Sequence, residues 1–361
     1  MSLPLPLEYA PMEARVVAEL PVGPQWQYEP KWDGFRCLAF RDGARVELRS
    51  KSGQSLTRYF PEVAATLLAM GAKRFVLDGE LVVPQSGALS FDALLQRIHP
   101  AKSRIDRLAR ETPAAYLVFD LLVDERGTNV SVKPLSERRD RLDAFLDRYL
   151  SAQVPAGGIA ASPATRRVAE ARGWLAGRAG TDGVVAKRLD LPYASGERTA
   201  MVKIKRKRTA DCVVGGFRYA TRGRVVGSLL LGLYDADGLL HHVGFTSSFR
   251  ADERAAITAK VEAIKGGSGF TGRAPGGPSR WTTSRSSEWE AVEPVLVVEV
   301  EYDHFTGGRF RHGTKLLRWR PDKAPAQCRM SQVAEARDRR ATGSRSRRAK
   351  SSTLRAAKRR R

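Results

Sequence analysis

The segment Glu29-Pro-Lys31-Trp-Asp33-Gly34-Phe-Arg36 has the makings of a nucleophile site. Pro30 stiffens the approach to Lys31, Gly34 permits close backbone passage, and the apolar Trp32 sits beside the amine. A lysine with a pKa of about 10.4 is protonated at neutral pH, and only the neutral amine attacks. Lowering that pKa by about three units takes roughly 4 kcal/mol, from desolvation and cationic neighbours. Val202-Lys203-Ile204-Lys205 supplies such neighbours. In a strand its two ammonium groups point to one face, where they serve a phosphate and depress a third lysine together. Leu77-Asp78-Gly79-Glu80-Leu81 sets acids at strand spacing inside the apolar run Phe75–Val83, as core polar groups or as ribose or metal contacts. Thr181-Asp182-Gly183-Val184-Val185-Ala186-Lys187 repeats the idea, with a carboxylate at the mouth of an apolar strand. Arg318-Trp-Arg320-Pro-Asp322-Lys323 offers a guanidinium fork suited to phosphates.

Taken one at a time these signals are weak. A bare K-x-D-G arises by chance in about one chain in ten of this length, and a paired-lysine strand is by default a solvated edge. Other chemistries are excluded more firmly. No G-x-x-x-x-G-K-[ST] is present, so a P-loop does not hold phosphate. Gly267-Ser-Gly-Phe-Thr-Gly272 matches G-x-G-x-x-G but follows a helical pattern and opens no helix, so it reads as a flexible loop. His99, His241, His242, His304 and His312 lack metal-ligand spacing and read as surface or core residues. Cys37, Cys212 and Cys328 are too few and too scattered for a disulfide scaffold or a zinc site.

These residues need strands to hold them. Cys37–Phe40, Arg45–Arg49, Phe75–Val83, Ala115–Leu122 and Gly183–Lys187 are rich in Val, Leu and aromatics and predict strands. Phe60–Met70 and Ser136–Leu150 predict helices; in the second, Leu142, Phe145, Leu146 and Tyr149 fall on one face. Hairpin signals such as Arg41-Asp42-Gly43 imply an α+β fold with a mostly antiparallel core. After the basic stretch Lys203–Arg208 come Val213–Tyr219, Val225–Tyr234, Leu240–Thr246 and Val295–Tyr302, interrupted by the helix pattern Ala251–Ile264. That texture suits a small barrel of the OB kind. The expected layout is residues 1–207, then 208–330, then a basic disordered tail at 331–361.

Charge narrows the partner. The net charge is +23, and the stretch from Glu335 to Arg361 carries twelve Lys/Arg against two acids, leaving +13 on the rest. Such a balance attracts polyanions, and nucleic acid is the partner it predicts. No apolar run reaches the ~18 residues of a membrane span, and the start Met-Ser-Leu-Pro-Leu-Pro does not read as a signal peptide. A soluble, cytoplasmic, nucleoid-associated monomer without zinc is the expectation.

In order and spacing, these motifs resemble the covalent nucleotidyltransferase superfamily, and within it the ATP-dependent DNA ligases, most of all the minimal two-domain C-type of bacteria. The resemblance runs from Glu29 to Lys323 and implies a nucleotidyltransferase (adenylation) domain with antiparallel sheets followed by an OB-fold β-barrel. It implies Lys31 as the nucleophile that becomes lysyl-AMP, with Lys203 and Lys205 on the α-phosphate. Glu29, Arg36, Arg49, Glu80, Phe119 and Lys187 become nucleotide contacts: Phe119 stacks on the purine, Glu80 lies by the ribose, and Arg49 touches nucleotide or nick. Arg320, Asp322 and Lys323 match R-x-D-K, which in the family engages the pyrophosphate end of ATP. Glu80 and Asp182 are the implied metal carboxylates, although the family's usual residue at position 182 is Glu. Mg-ATP, with Mn2+ able to substitute, and nicked duplex DNA follow as reactants, with a repair polymerase as a further partner. The large helical DNA-binding domain of longer ligases is not expected in the 30 residues before Lys31. Two rivals remain: an RNA ligase or capping-type nucleotidyltransferase, and a non-enzymatic OB-containing nucleic-acid-binding protein.

Overall fold

Alternating apolar segments form strands wherever a second sheet or a helix is at hand to cover them. The computed structural model describes residues 1–85, 87–150, 158–177, 181–276 and 288–333. The chain divides into two compact units, Met1–Arg206 and Lys207–Arg361. All but the first three residues of the expected tail, 331–361, lie outside the described residues.

The first unit runs β1 (Trp26–Pro30), β2 (Phe35–Asp42), β3 (Arg45–Ser50), α1 (Pro61–Ala69), β4 (Arg74–Val82), α2 (Lys102–Glu111), β5 (Ala115–Val123), α3 (Leu135–Tyr149), β6 (Ile159–Ala161), α4 (Val168–Leu175), β7 (Gly183–Arg188) and β8 (Met201–Lys205). A five-stranded sheet has the order β3-β2-β4-β5-β6, antiparallel except for the parallel β5–β6 edge. Its β2–β3 hairpin turns at Gly43, whose φ of 60° suits glycine. One face buries Phe75, Leu77 and Leu81 against Phe60, Val63 and Leu67 around α1 and Leu142, Phe145 and Leu146 of α3. That is the helical face the sequence predicts.

A four-stranded sheet has the order Arg15–Val16, β8, β7, β1. β7 pairs antiparallel with both neighbours, and α4 packs on this sheet through Ala171 and Trp174. Register decides what faces what: Val185 lies opposite Glu29 on one side and Lys203 on the other, and Lys187 lies opposite Gln27 and Met201. With a period of two, these residues share one face of the sheet.

The second unit runs β9 (Arg208–Tyr219), β10 (Val226–Tyr234), β11 (Leu240–Thr246), α5 (Arg254–Glu262), β12 (Val297–Tyr302) and β13 (Lys315–Trp319). Its main path is β11-β10-β9-β12-β13, all antiparallel, with the short strand Glu290–Ala291 also on β9. Register shifts in β9, β10 and β12 curl the sheet. Its two ends meet at one parallel bridge, Thr246 with Thr314, so the ring is joined by a bridge and not by a paired ladder. The Gly267–Gly272 segment is a loop, as its sequence reads, and within it Phe270 is buried against His242 and Trp289.

Candidate functional site

Within the first unit an open cleft of about 740 Å³ draws residues from both sheets. The four-stranded sheet contributes Glu29, Val185, Lys187, Met201 and Lys203; the five-stranded sheet contributes Arg36 and Glu80, with Phe119 from β5. Lys31 and Trp32 line it from the segment leaving β1.

Lys31 is placed by backbone pairing and by a glycine. Its N–H donates to Gly183 O at 3.0 Å, and Asp182 N–H donates back to Lys31 O at 3.0 Å. Its ammonium then meets Asp182 Oδ2 at 2.5 Å, with the Asp182 side chain almost wholly buried. Gly34 explains the G of K-x-D-G: a Cβ there would lie 2.2 Å from Leu81 O, so only glycine lets the chain turn this close to β4. Trp32 is pinned by its indole N–H donating to Ser162 Oγ at 2.9 Å.

Glu29 is buried with both oxygens engaged. Gln27 Nε2 donates to Oε1 at 3.0 Å, and the Lys187 ammonium lies 2.7 Å from Oε2. Two cations contact the Phe119 ring, Lys187 at 4.3 Å and Arg36 at 4.4 Å from its centroid. Arg36 is itself fixed by a bidentate bridge to Asp78 at 2.6 Å through each nitrogen, and Tyr193 O–H donates to Asp78 Oδ2 at 2.6 Å. Burial works against the Arg36 charge, but Asp78, Tyr193 and Glu80 more than offset it and hold its pKa above the ordinary value.

Glu80 faces Arg36 across the β2–β4 register. Burial raises its carboxyl to about 7 even though Arg36 and Lys31 pull it down. Near neutral pH it can therefore donate as well as accept. The Lys203 ammonium is pushed below the usual lysine range, by burial first and then by Lys31, Lys51 and Lys205. Of the two lysines expected beside the nucleophile, Lys203 shares the cleft with Lys31, together with Lys51.

The matching family models are the ATP dependent DNA ligase domain, over residues 12–205, and the ATP dependent DNA ligase C terminal region, over residues 222–323. The chain belongs to the ATP-dependent DNA ligase family. It is 41% identical over 92% of its length to DNA ligase C2 of Mycolicibacterium smegmatis, covering 96% of that protein. DNA ligase C of Mycobacterium tuberculosis is 40% identical over the same shares of the two chains. The multifunctional non-homologous end joining DNA repair protein LigD of M. tuberculosis is 30% identical over 84% of this chain and 37% of its own. The solved structure named Pmar-Lig_Pre shares the fold with a TM-score of 0.59 at 18% identity, over 87% of this chain and 67% of that one. The fold is thus a nucleotidyltransferase core followed by an OB region.

Family membership brings dependence on ATP and a divalent metal. Among the described residues no three His, Cys, Asp or Glu side chains converge as a metal cage. What this ligase offers beside Lys31 is two hard carboxylates, Asp182 and Glu80. That donor set fits a cation that takes its remaining ligands from phosphate and water.

The cleft gathers Lys31, Glu29, Arg36, Glu80, Phe119, Lys187 and Lys203, and Asp182 contacts it through Lys31. Three groups of expected residues stand elsewhere. Lys205 is exposed at the end of β8, opposite Gly183, outside the cleft lining. Arg49 packs on Glu47 and donates to Leu7 O, because its place on the edge strand β3 points it along the sheet surface. Its neighbour Lys51 lines the cleft instead, paired with Glu13 at 3.1 Å. Arg320, Asp322 and Lys323 belong to the second unit, where Arg320 Nη1 lies 2.9 Å from Asp211 Oδ1, Arg320 Nη2 lies 2.9 Å from Asp322, and Lys323 donates to Asp211 Oδ2. The Arg320 bridge holds the Asp322 carboxyl at about 2. Sequence reasoning missed Gln27, Lys51, Tyr193 and Asp211, none of which carried a local signal. Asp78, named with Glu80 at strand spacing, is a buried acid paired with Arg36.

Proposed function

We propose that this ligase seals nicks in duplex DNA through a lysyl-AMP on Lys31 and an adenylylated 5′-phosphate. The observation that carries this reading is one cross-strand row on β1, β7 and β8, in which the buried Glu29 and the partly exposed Val185 and Lys203 line the same cleft as Lys31. Glu29 and Phe119 hold the adenine, Glu80 the ribose, and Lys203 the α-phosphate, with Lys205 and Arg49 reached later by nucleotide or nick. Before attack Lys31 must leave its Asp182 contact as a neutral amine, and Asp182 Oδ2 is the acceptor within hydrogen-bond distance of its proton. The amine nitrogen then bonds the α-phosphorus and pyrophosphate leaves, while Lys203 holds the charge on the phosphoryl oxygens. Asp182 and Glu80 would hold a divalent cation, Mg2+ or Mn2+, which would neutralise charge on the phosphates. AMP passes to the 5′-phosphate at the nick, and the 3′-hydroxyl displaces it.

Residues 1–207 form the adenylation domain and 208–330 the OB domain. Arg320, Asp322 and Lys323 engage the pyrophosphate end of ATP, and the basic residues 331–361 add grip on DNA phosphates. The enzyme acts as a cytoplasmic monomer on the nucleoid, in repair of broken DNA alongside a polymerase. The first test is the intact mass of pyrophosphate-stripped protein after incubation with Mg-ATP, Mg-GTP or NAD+. Wild type gains one AMP with ATP alone and Lys31→Ala gains nothing. A GMP adduct moves the reading to capping, and no adduct with any nucleotide ends it. Sealing of a nicked DNA duplex in preference to a nicked RNA duplex completes the assignment.

A further inference from the structure

Asp211 is the one acid of β9 inside an apolar stretch, flanked by the buried Ala210 and Cys212. Its backbone is clamped on both sides by Gln332, whose amide accepts from Asp211 N–H and donates to Asp211 O at 3.2 Å each. A desolvated carboxylate persists only when it is well paired. Asp211 is paired twice: Oδ1 receives Arg320 Nη1 at 2.9 Å and Oδ2 receives the Lys323 ammonium. Arg320 further engages Asp322 through Nε and Nη2. Glu299 lies 3.9 Å from Arg320 and opposite Asp211 across the β9–β12 register. Two oxygens of one anion bridging a guanidinium and an ammonium is the arrangement a phosphate would make with the same two cations.

We propose that Asp211 is a positioning residue for pyrophosphate exchange. Its carboxylate occupies the Arg320 and Lys323 donors between turnovers, keeps them spaced for a diphosphate, and weakens their hold so that pyrophosphate departs. The inference rests on the reading of Arg320 and Lys323 as pyrophosphate contacts. An incoming diphosphate must displace Asp211 from both donors, and the retained negative charge opposes it at close range. Removing that charge without changing the shape leaves two cations without their shared anion. Pyrophosphate should then bind about tenfold more tightly, a contact-distance charge effect reduced by solvent screening.

The reverse of the first step reads this directly. A pyrophosphate oxygen attacks the phosphorus of lysyl-AMP, the N–P bond breaks, ATP forms, and the Lys31 nitrogen takes up a proton. Full-length adenylylated protein is mixed with Mg2+ and inorganic pyrophosphate, and loss of the AMP mass is followed over time. For Asp211→Asn the pyrophosphate concentration giving half-maximal rate falls about tenfold, whereas for Arg320→Ala it rises. A purely structural Asp211 would move both variants in the same direction, upward. An unchanged or raised value for Asp211→Asn, with Arg320→Ala raised, overturns the inference and leaves the motif reading intact. An unchanged value for Arg320→Ala removes the motif reading and the inference with it. Asp211→Ser gives the same readout should Asp211→Asn fail to fold.

Discussion

The Lys31 ammonium and the Asp182 carboxylate meet at 2.5 Å, and their backbones exchange hydrogen bonds through Lys31 N–H to Gly183 O and Asp182 N–H to Lys31 O. Nucleophile and acceptor are therefore fixed by the same β1–β7 pairing, and neither can drift without the other. Aspartate reaches Lys31 here despite being one methylene shorter than the family's usual glutamate. Asp182→Asn keeps the shape but loses the proton acceptor and an anionic oxygen. Its lysyl-AMP formation with Mg-ATP should fall on the order of a hundredfold, measured by single-turnover mass labelling. A variant labelling at the wild-type rate would remove Asp182 from the chemistry.

Gln27 tests how Glu29 is aimed. One Glu29 oxygen takes the Gln27 amide and the other lies 2.7 Å from the Lys187 ammonium, so the carboxylate is held in one orientation. An acceptor held this way favours a 6-amino purine over a 6-oxo one. Gln27→Leu frees one oxygen and should raise KM for ATP about tenfold with kcat little changed, while narrowing the preference for ATP over GTP. A lowered kcat at constant KM would place Gln27 in the chemical step and contradict this role.

Gly34 links fold and site most tightly. A Cβ at position 34 would press on Leu81 O at 2.2 Å and Glu80 Cγ at 2.7 Å, so Gly34→Ala must push β4 or the Lys31 segment aside. Overpacking of this kind costs about 1–3 kcal/mol, a drop of several degrees in the melting temperature of a unit this size. Labelling of Lys31 should fall as well, because Glu80 moves with the strand. Calorimetry and mass labelling on one sample check both, and an undisturbed melting temperature would refute the close approach.

The strands were legible where residue type and period agree. Phe75–Val83 and Val213–Tyr219 are predominantly apolar, and they fall on the strands Arg74–Val82 and Arg208–Tyr219, although the first also buries Asp78. Lys31, Glu29, Glu80 and Lys203 were legible because each sits at a fixed offset within such a strand or just beyond it. Arg49 lies outside the cleft lining, on an edge strand where it packs on Glu47, and two residues further on Lys51 enters the cleft. Asp78, Tyr193 and Asp211 act across sequence separations of 42, 115 and 109 to 112 residues. Their partners are set by strand order, which periodicity does not encode. The ring of the second unit is likewise joined by Thr246 and Thr314, two residues with nothing in their local sequence to pair them.

His242 gives the second unit a built-in acid sensitivity. It is 7% exposed, packs edge-on against Phe270, and lies near Arg309, Arg218 and Arg273. Burial first, and then these guanidiniums, push its pKa from 6.5 down to about 3. Above pH 6.5 the ring is neutral in both folded and unfolded states and contributes no pH dependence. Below 6.5 the unfolded chain takes up a proton that the folded unit refuses, so stability falls as pH drops towards 3. At pH 5 the loss is about 2 kcal/mol, since each pH unit between the two pKa values contributes about 1.4 kcal/mol. His242→Phe removes the titrating ring and keeps an aromatic beside Phe270. Urea unfolding at pH 8 and pH 5 should show the variant gaining about 2 kcal/mol on wild type between the two conditions. A difference between the two proteins that does not change with pH would show that His242 is protonated in the folded unit.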